Sequence, residues 1–289
     1  MMLYFSRKRF SSGLIAGGFG LLVVSLGGWW FTISVGIIAH LSLLEYFRMA
    51  KFAGIRPATK TTLVACQLLL ITTQAGFDGF LSDDLISAVF PLSGAAICGW
   101  LLLQPVTGSI ADIASSIFGL FYLGFLPSHW IRLRNLNDLN WSYYSDFFNS
   151  HIPLNFESGM WITLAACLII VASDIGAYSF GIRFGRTPLS PISPGKTIEG
   201  AIGGFVCAIA VGVVTGLMLD WRLGALFGGS LGLLVALFAL VGDLTESMMK
   251  RNAGIKDSGD FLPGHGGILD RIDSYLFTPA VVYYVVQIF

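Results

Sequence analysis

The residues that could do chemistry are concentrated near the carboxyl-terminal end of the chain. Ten charged side chains lie between positions 243 and 273, although the whole chain has only 17 basic and 17 acidic residues. They are Asp243, Glu246, Lys250, Arg251, Lys256, Asp257, Asp260, Asp270, Arg271 and Asp273. In a predominantly apolar chain, such a concentration of charge indicates a functional site.

Two of these acids, Asp243 and Asp270, lie on either side of a polar loop between apolar runs. A hairpin of the two flanking runs would bring both carboxylates to the same membrane face. Asp270 and Asp273 are three residues apart, so they would share one face of a helix. Mg²⁺ is typically bound by one or two carboxylates with water and substrate phosphates. The pattern predicts a metal site at Asp243 and Asp270, with simple ion pairing to nearby Lys and Arg residues as the alternative.

The loop between these acids is rich in glycine and in positive charge. Its glycines are Gly254, Gly259, Gly264, Gly266 and Gly267, and its basic residues are Lys250, Arg251, Lys256 and Arg271. Glycine allows the backbone to present N–H groups to an anion. This combination suits a metal-bound phosphate substrate. His265 is either an acid–base group or a fixed hydrogen-bond partner, and the second is commoner for an isolated loop histidine.

A second polar cluster lies upstream of the first. Asp174 is an ionisable residue inside an apolar run, which predicts a position facing the interior of the helical bundle. The sequence Gly195-Lys196-Thr197 is like the end of a P-loop, but Ser190 stands where that motif needs glycine, so we exclude it. Lys196 is then either a phosphate contact or a topology signal. Glu199 either caps the next helix or joins the cation site.

The apolar composition decides which elements must position these residues. The chain has 289 residues, of which 55% are hydrophobic and 12% charged, and its mean hydropathy is +0.75. Soluble domains typically carry about 25% charged residues. The composition therefore predicts an all-α, polytopic integral membrane protein. The net charge of zero says little about partners. Since the sequence has no basic patch dense enough to suggest nucleic acid, we expect no nucleic-acid partner.

A transmembrane helix needs about 20 apolar residues to cross the hydrocarbon core of a bilayer. By this criterion the sequence predicts about nine transmembrane helices. Their ranges are 12–27, 29–47, 61–77, 85–103, 108–127, 159–181, 199–219, 223–242 and 274–289. The fifth contains an isolated acid, Asp112, whose role stays open. The glycines at 27 and 28 predict a tight hairpin between the first two helices.

Basic residues set the orientation of these helices. Lys and Arg residues precede the first helix and follow the second, whereas the acidic loop 78–84 contains neither. This places the two polar clusters on the cytoplasmic side. The chain then divides into N-terminal transmembrane helices of about five spans (1–128), an extracytoplasmic interfacial loop (129–158) and a C-terminal catalytic transmembrane region (159–289).

The seventh and eighth predicted helices carry a small residue at every fourth position. The first series is Gly200, Gly204, Ala208, Gly212 and Gly216, and the second is Gly224, Gly228, Gly232 and Ala236. Each series lies along one helix face and allows two backbones to approach closely. The pattern predicts a tightly packed helix pair beside the polar loops.

The charged segment resembles a known family signature. The series Ser247-x-x-Lys250-Arg251-x-x-x-x-Lys256-Asp257-x-Gly259-x-x-Leu262-Pro263-x-His265-Gly266-Gly267-x-x-Asp270-Arg271-x-Asp273 resembles that of the phosphatidate cytidylyltransferase (CDP-diacylglycerol synthase) family. The upstream blocks Asp174-Ile-Gly-Ala-Tyr178 and Ser193-Pro-Gly-Lys196-Thr197-Ile-Glu199-Gly200 are also similar to blocks of that family. Gly195 departs from the polar or basic residue expected before the lysine. Outside residues 173–273, the resemblance is one of hydropathy.

The resemblance implies an all-helical enzyme of the inner or plasma membrane with a cytoplasmic catalytic face. Such an enzyme would transfer CMP from CTP to phosphatidic acid, giving CDP-diacylglycerol and pyrophosphate for phospholipid biosynthesis. The resemblance also implies Mg²⁺, a second cation (K⁺ or Mg²⁺), contact with membrane lipids and a homodimer.

The resemblance further assigns roles to residues by position. It implies that Asp243 and Asp270 bind the metal. The remaining members of the predicted catalytic set are Lys250, Arg251, Lys256, Arg271 and Asp273. The predicted substrate-binding set is Asp174, Lys196, Thr197, Glu199, Ser247, Asp257, His265, Gly266 and Gly267.

Two other functions are compatible with buried charge in a membrane protein. A transporter or channel would use the acids as a cation path, but the sequence shows no inverted repeat and its charge lies at one face. A CTP-dependent polyprenol kinase would act on a related lipid substrate. Its product would carry only a phosphate, whereas a cytidylyltransferase leaves CMP on the lipid.

Overall fold

The computed structural model describes residues 7–136, 158–219, 221, 223–259 and 266–288. Most of this backbone is helical, which confirms the all-α fold class. The helices are α1 (Arg7–Leu26), α2 (Gly28–Phe52), α3 (Thr59–Phe77), α4 (Asp83–Leu102), α5 (Ile110–Leu120), a π-helical turn (Phe121–Phe125), α6 (Leu126–Arg134), α7 (Ser158–Phe184), α8 (Ile198–Met218), α9 (Gly224–Asn252), α10 (Leu269–Ile272), a 3-10 turn (Asp273–Tyr275) and α11 (Thr278–Ile288).

Within the described residues, six helical segments are long and apolar enough to cross a membrane. They are Gly28–Phe52, Asp83–Leu102, Ile110–Arg134, Ser158–Phe184, Ile198–Met218 and Gly224–Asn252. These segments support a polytopic membrane protein. The other three predicted spans also fall on helices (α1, α3 and α11) but lie outside this set. The count of about nine spans therefore stays a prediction.

The fifth span extends further than the sequence indicated. We predicted its end at position 127, but the helix continues through the π-helical turn and α6 to Arg134. Pro127 does not end the helix because a local π-helical adjustment can accommodate a proline in a membrane span. The segment 129–158, predicted as a loop, thus begins as helix. Residues 137–157, with most of that loop, lie outside the described part of the chain.

The isolated acid Asp112 has a structural role at the start of α5. Its backbone N–H donates to Ser109 Oγ at 3.2 Å, and the Ser109 N–H donates to Asp112 Oδ2 at 2.8 Å. This is a capping box, which satisfies two otherwise unpaired donors at a helix start. The Arg56 N–H donates to Asp112 Oδ1 at 2.6 Å. Asp112 therefore also ties the connection between α2 and α3 to α5.

The predicted close packing of two glycine-bearing helices is confirmed for α8 and α9. A Cβ atom added at Gly216 would lie 2.6 Å from the Gly224 carbonyl oxygen, and one added at Gly212 or Gly228 would overlap the other residue's carbonyl. On the opposite side, a Cβ at Gly176 of α7 would lie 2.7 Å from the Gly203 carbonyl oxygen. Helices α7, α8 and α9 therefore form a rigid unit held by backbone proximity.

A short antiparallel hairpin precedes α8, which the sequence did not predict. Strand β1 (Pro188–Ser190) pairs with β2 (Ser193–Thr197). Both strands are too short and too polar to show the alternation by which strands are recognised. The hairpin matters because β2 carries Lys196 to the site described below.

Candidate active site

The centre of the site is a cluster of three carboxylates. Asp243, Glu246 and Asp273 each contribute an oxygen to a group whose members all lie within 4.8 Å of one another. Asp243 and Glu246 are three residues apart on α9 and therefore share a face. Asp273 opens the 3-10 turn, which packs against α9 at Gly242, where a Cβ would overlap the Asp273 carbonyl. The glycine thus permits the turn to reach the helix.

In the protein alone, the negative charge of the acidic cluster is not fully balanced. Burial and the nearby Asp243 carboxylate raise the pKa of Asp273 well above its usual value. Within the described residues, neither buried oxygen of Glu246 has a hydrogen bond of ordinary geometry, although the Lys250 ammonium lies against Oε2. Three oxygen donors converging in this way fit a hard divalent cation, which would relieve their repulsion.

The second polar cluster of the sequence meets the first at this point. The Lys196 ammonium pairs with the Asp243 carboxylate, and the two side chains are 26% and 32% exposed. Asp174 on α7 lies beside the same turn, with its Oδ1 accepting from Ser274 Oγ at 3.5 Å. We predicted that Asp174 faces the bundle interior. The residue is exposed, although its carboxylate contacts Ser274, which directly follows Asp273 of the acidic cluster.

Asp270 belongs to a neighbouring network and not to the three-acid cluster. Its Oδ1 accepts from Lys250 Nζ at 2.6 Å, and its Oδ2 accepts from the backbone N–H groups of Ser258 at 2.9 Å and Gly267 at 2.8 Å. Burial opposes its ionisation, but the contact with Glu246 and these hydrogen bonds hold the pKa of Asp270 below its usual range. Asp243 and Asp270, predicted as a metal pair, thus lie in two adjacent networks, which are linked by Lys250 and by the contact between Asp270 and Glu246.

The predicted residues near β2 and α8 have local structural partners. Thr197 is the N-cap of α8, and its hydroxyl accepts from the Gly200 N–H at 3.1 Å. Glu199 accepts from the Arg186 N–H at 3.1 Å and from the Thr187 hydroxyl at 3.0 Å. Thr197 is therefore the N-cap residue of α8, whereas Glu199 lies in the first turn of that helix and fastens the chain that enters the hairpin.

The other predicted residues surround the two networks. Arg251 Nε donates to the Ile192 carbonyl at 3.2 Å and so joins the end of α9 to the hairpin. Ser247 is buried, whereas Lys256, Asp257 and Arg271 are exposed. Gly267 is buried, and Gly266 has a φ of +78°, a conformation that favours glycine. His265 lies outside the described residues.

The sequence argument missed three residues of this region. Glu246 was counted among the charges, yet its spacing from Asp243 should have identified it as part of the site. Glu45 of α2 is a buried acid within an apolar run, the same signal that drew attention to Asp174. Tyr122 of the π-helical turn is also buried, and its hydroxyl donates to the Gly242 carbonyl at 3.4 Å. A tyrosine in an apolar run carries no comparable signal.

Six helices long and apolar enough to cross a membrane indicate a membrane protein. The acidic cluster with its two lysines forms a site suited to phosphate compounds. The Cytidylyltransferase family model matches residues 7–289. A protein of Synechocystis sp. named phosphatidate cytidylyltransferase is 47% identical over 284 residues, covering 94% of this chain and 92% of the relative. The chain therefore belongs to the cytidylyltransferase family.

Two further relatives extend this comparison. Phosphatidate cytidylyltransferase 5, chloroplastic, of Arabidopsis thaliana is 38% identical over 98% of this chain and 72% of its own length. The phosphatidate cytidylyltransferase of Bacillus subtilis is 29% identical over 98% of both chains. The family resemblance read from residues 173–273 is confirmed, and these matches extend it to the N-terminal helices.

Proposed function

We propose that this protein is a phosphatidate cytidylyltransferase of phospholipid biosynthesis. It transfers CMP from CTP to phosphatidate, giving CDP-diacylglycerol and pyrophosphate. The observation that carries this proposal is the 47% identity, over nearly the full length of both chains, to a protein of that name. The convergence of Asp243, Glu246 and Asp273 with two lysines provides a site of matching chemistry.

The reaction requires positioning and charge neutralisation more than proton transfer. A phosphate monoester has a second pKa near about 6, so phosphatidate is largely a dianion at neutral pH and can attack the α-phosphorus of CTP without a dedicated base. In phosphoryl-group transfers generally, the protein aligns the reacting oxygens and stabilises the developing charge. This explains a site built from carboxylates, lysines and backbone N–H groups.

The three-acid cluster is the best candidate for a cation site. A Mg²⁺ ion at this position would neutralise charge on the triphosphate and on the leaving pyrophosphate. Asp243, Glu246 and Asp273 would hold it, because their oxygens already converge. Asp270, predicted from the sequence as a ligand, would instead hold Lys250 beside the cluster. Asp174, next to Ser274, is the candidate for a second cation, K⁺ or Mg²⁺.

The basic residues fall into an inner and an outer group. Lys196 and Lys250 contact acids of the site, so they would meet the phosphates of CTP once the cation neutralises those acids. The outer group consists of three exposed residues near the acidic cluster: Arg251, Lys256 and Arg271. They would contact the headgroup of phosphatidate or the outer phosphates of CTP.

The proposal includes an arrangement in the membrane. About nine spans would place the basic segment that follows α2, the hairpin before α8 and the acidic cluster on the cytoplasmic face of the inner or plasma membrane. CTP would then arrive from the cytoplasm while phosphatidate enters laterally between helices. The homodimer implied by the family resemblance is a separate expectation, which the mass of the protein–detergent particle would test.

A labelled-CTP assay tests the function directly. The purified protein in detergent is given cytidine-labelled CTP, with phosphatidate present or omitted and Mg²⁺ present or chelated. We expect lipid-soluble cytidine label that requires both phosphatidate and Mg²⁺. Transfer of a terminal phosphate to a polyprenol would identify a kinase instead. Folded protein that leaves no cytidine label in lipid would overturn the proposal.

A further inference from the structure

Glu45 is an acid that the proposed reaction does not use, yet it lies against residues 258–259 and 267–269, beside the acidic cluster. It belongs to α2, a membrane-spanning helix of the N-terminal half, and its side chain is only 9% exposed. An ionisable residue within a membrane helix is energetically unfavourable and generally has a functional reason. Its contacts indicate that reason.

The Glu45 carboxylate binds the backbone that leads into α10. Its Oε1 accepts from the Ile268 N–H at 3.0 Å, and its Oε2 accepts from the Leu269 N–H at 2.9 Å. These amides lie at the start of the short helix that carries Asp270. A carboxylate suits this position because both of its oxygens accept hydrogen bonds, whereas an amide side chain offers one acceptor and one donor group.

Glu45 is also connected to Asp270 through Ser258. The Ser258 hydroxyl lies 3.0 Å from Glu45 Oε2 and 3.0 Å from Asp270 Oδ2, so it can donate to either carboxylate. Asp270 in turn binds Lys250, which contacts Glu246 of the acidic cluster. A continuous set of polar contacts therefore runs from the N-terminal half to the proposed reaction centre.

Two glycines of the family signature lie directly against this carboxylate. A Cβ added at Gly259 would lie 2.5 Å from Glu45 Oε1, and one added at Gly267 would overlap the Ser258 hydroxyl and Glu45 Oε2. The backbone at positions 259 and 267 can therefore pack against Glu45 only because these residues lack side chains. The glycines and the glutamate form one packed arrangement, although they are far apart in the chain; the neighbouring Ser258 and Glu45 have a sequence separation of 213.

We propose that Glu45 is a positioning residue for catalysis, which fixes residues 267–269 so that Asp270 holds Lys250 beside the acidic cluster. This inference rests on the proposed function, since it names a further residue of that same site. Glu45 is not a member of the acidic cluster, and it acts through Ser258, Asp270 and Lys250. The N-terminal helices thereby contribute to the geometry of the reaction as well as to membrane anchoring.

The substitution E45Q tests the proposal because it keeps the size of the side chain and removes one acceptor. We expect kcat to fall about 10- to 100-fold, the range that corresponds to losing one hydrogen bond to a charged group. The KM for CTP should change by less than about threefold, since no substrate contact is removed. The substitution E45D, which keeps the charge on a shorter side chain, should retain more activity than E45Q.

The matched control is T32V on the same helix. Thr32 is buried, and its hydroxyl donates to Gln74 Oε1 at 3.1 Å, a contact that involves none of the residues bound by Glu45. Both variants lose a buried polar interaction of α2, so both should lower the thermal unfolding temperature in detergent to a similar extent. T32V should keep near wild-type kcat. Parallel losses of kcat in the two variants would reduce Glu45 to a general stabilising residue and overturn the proposal.

Hydrogen–deuterium exchange gives a reading that does not depend on the reaction. The amides of Ile268 and Leu269 should exchange faster in E45Q than in the wild type or T32V, because they lose their acceptor. Unchanged exchange would overturn the proposed anchoring. If wild-type protein makes no cytidine-labelled lipid, the proposed function fails, while exchange at these two amides still decides whether Glu45 anchors the loop.

A double-mutant cycle with S258A tests the route of the effect. If Glu45 acts through Ser258 and Asp270, the fall in kcat for E45Q/S258A should be smaller than the product of the two single effects. A fully multiplicative result would mean that the two residues act independently, which contradicts the proposed connection.

Discussion

At the residue scale, the site is defined by like charges that the fold holds together. Asp243, Glu246 and Asp273 converge within 4.8 Å, and the raised pKa of Asp273 reflects its burial and the charge of Asp243. Lys196 and Lys250 offset part of this negative charge, and a bound cation would offset the rest. Two predictions follow from the separation of this cluster from Asp270.

Removing a carboxylate of the cluster should weaken metal binding. We expect D243N, E246Q and D273N each to lower activity at limiting Mg²⁺ by at least about 100-fold, because loss of a metal contact costs at least as much affinity as loss of an outer-shell partner. Higher Mg²⁺ should restore part of the activity. The labelled-CTP assay over a range of Mg²⁺ measures this. D84N, at an exposed acid, is the control, and near wild-type activity of the three variants at limiting Mg²⁺ would contradict the assignment.

Removing Asp270 should have a different kinetic signature. D270N loses the carboxylate that holds Lys250 at 2.6 Å, so we expect kcat to fall about 10- to 100-fold without a change in the Mg²⁺ concentration that gives half-maximal activity. The same titration measures both quantities. A strong shift in the Mg²⁺ requirement, equal to that of D243N, would instead support the metal-ligand role that we predicted for Asp270 from the sequence.

At the element scale, α7, α8 and α9 form the support of the site. Their backbones touch at glycines, which removes side-chain freedom from the interface and fixes the angle at which α9 presents its acids. The hairpin before α8 is fastened by Glu199 and by the Arg251 contact to Ile192. These contacts place Lys196 against Asp243 from outside the helix bundle.

Filling the contact between α8 and α9 should destabilise the protein. In G212L the side chain would meet the Gly228 backbone, and overpacking of this kind typically costs about 1–3 kcal/mol or more. We expect the unfolding temperature in detergent to fall by at least several degrees. G99L is the matched control, since a Cβ at this helical glycine has no neighbour within 4 Å. Equal melting temperatures for the two variants would show that the close approach is dispensable.

At the scale of the whole molecule, the membrane topology depends on whether α1, α3 and α11 cross the bilayer. A protein with only the six clearly apolar spans and one with the predicted nine would place some of the same loops on different sides of the membrane. With nine spans, α3 crosses the membrane, so the segments before and after it lie on opposite faces. The acidic cluster of Asp243, Glu246 and Asp273 should then share the face of the segment before α3.

Cysteine labelling distinguishes these topologies. In a background without the four native cysteines, we place single cysteines at the exposed positions Ala53, Ser82 and Pro191. The predicted orientation requires a membrane-impermeant maleimide to label S82C in intact cells, and to label A53C and P191C only after the membrane is opened. Labelling of A53C and S82C from the same side would show that α3 does not span.

Local spacing in the sequence was enough to predict much of the molecule. Apolar run length located the helices, and the fourfold spacing of small residues predicted the contact of α8 with α9. Dense charge and glycine between 243 and 273 identified the site region. These features can be predicted because each depends on residues close together in the sequence, whose spacing determines which face of a helix they occupy or whether they lie in a loop. The polar hairpin and the helical continuation to Arg134 have no such local pattern.

Only the tertiary structure decided which acids meet. Asp273 joins Asp243 and Glu246 because Gly242 lets the 3-10 turn reach α9, while Asp270, three residues earlier, turns toward Lys250. Glu45 reaches the loop from a helix more than 200 residues earlier in the chain, as its bond to Leu269 shows with a separation of 224. The sequence determined the kinds of group available and the helices that carry them. Their pairing depends on how distant helices pack, because burial selects partners by position in space and not by position along the chain.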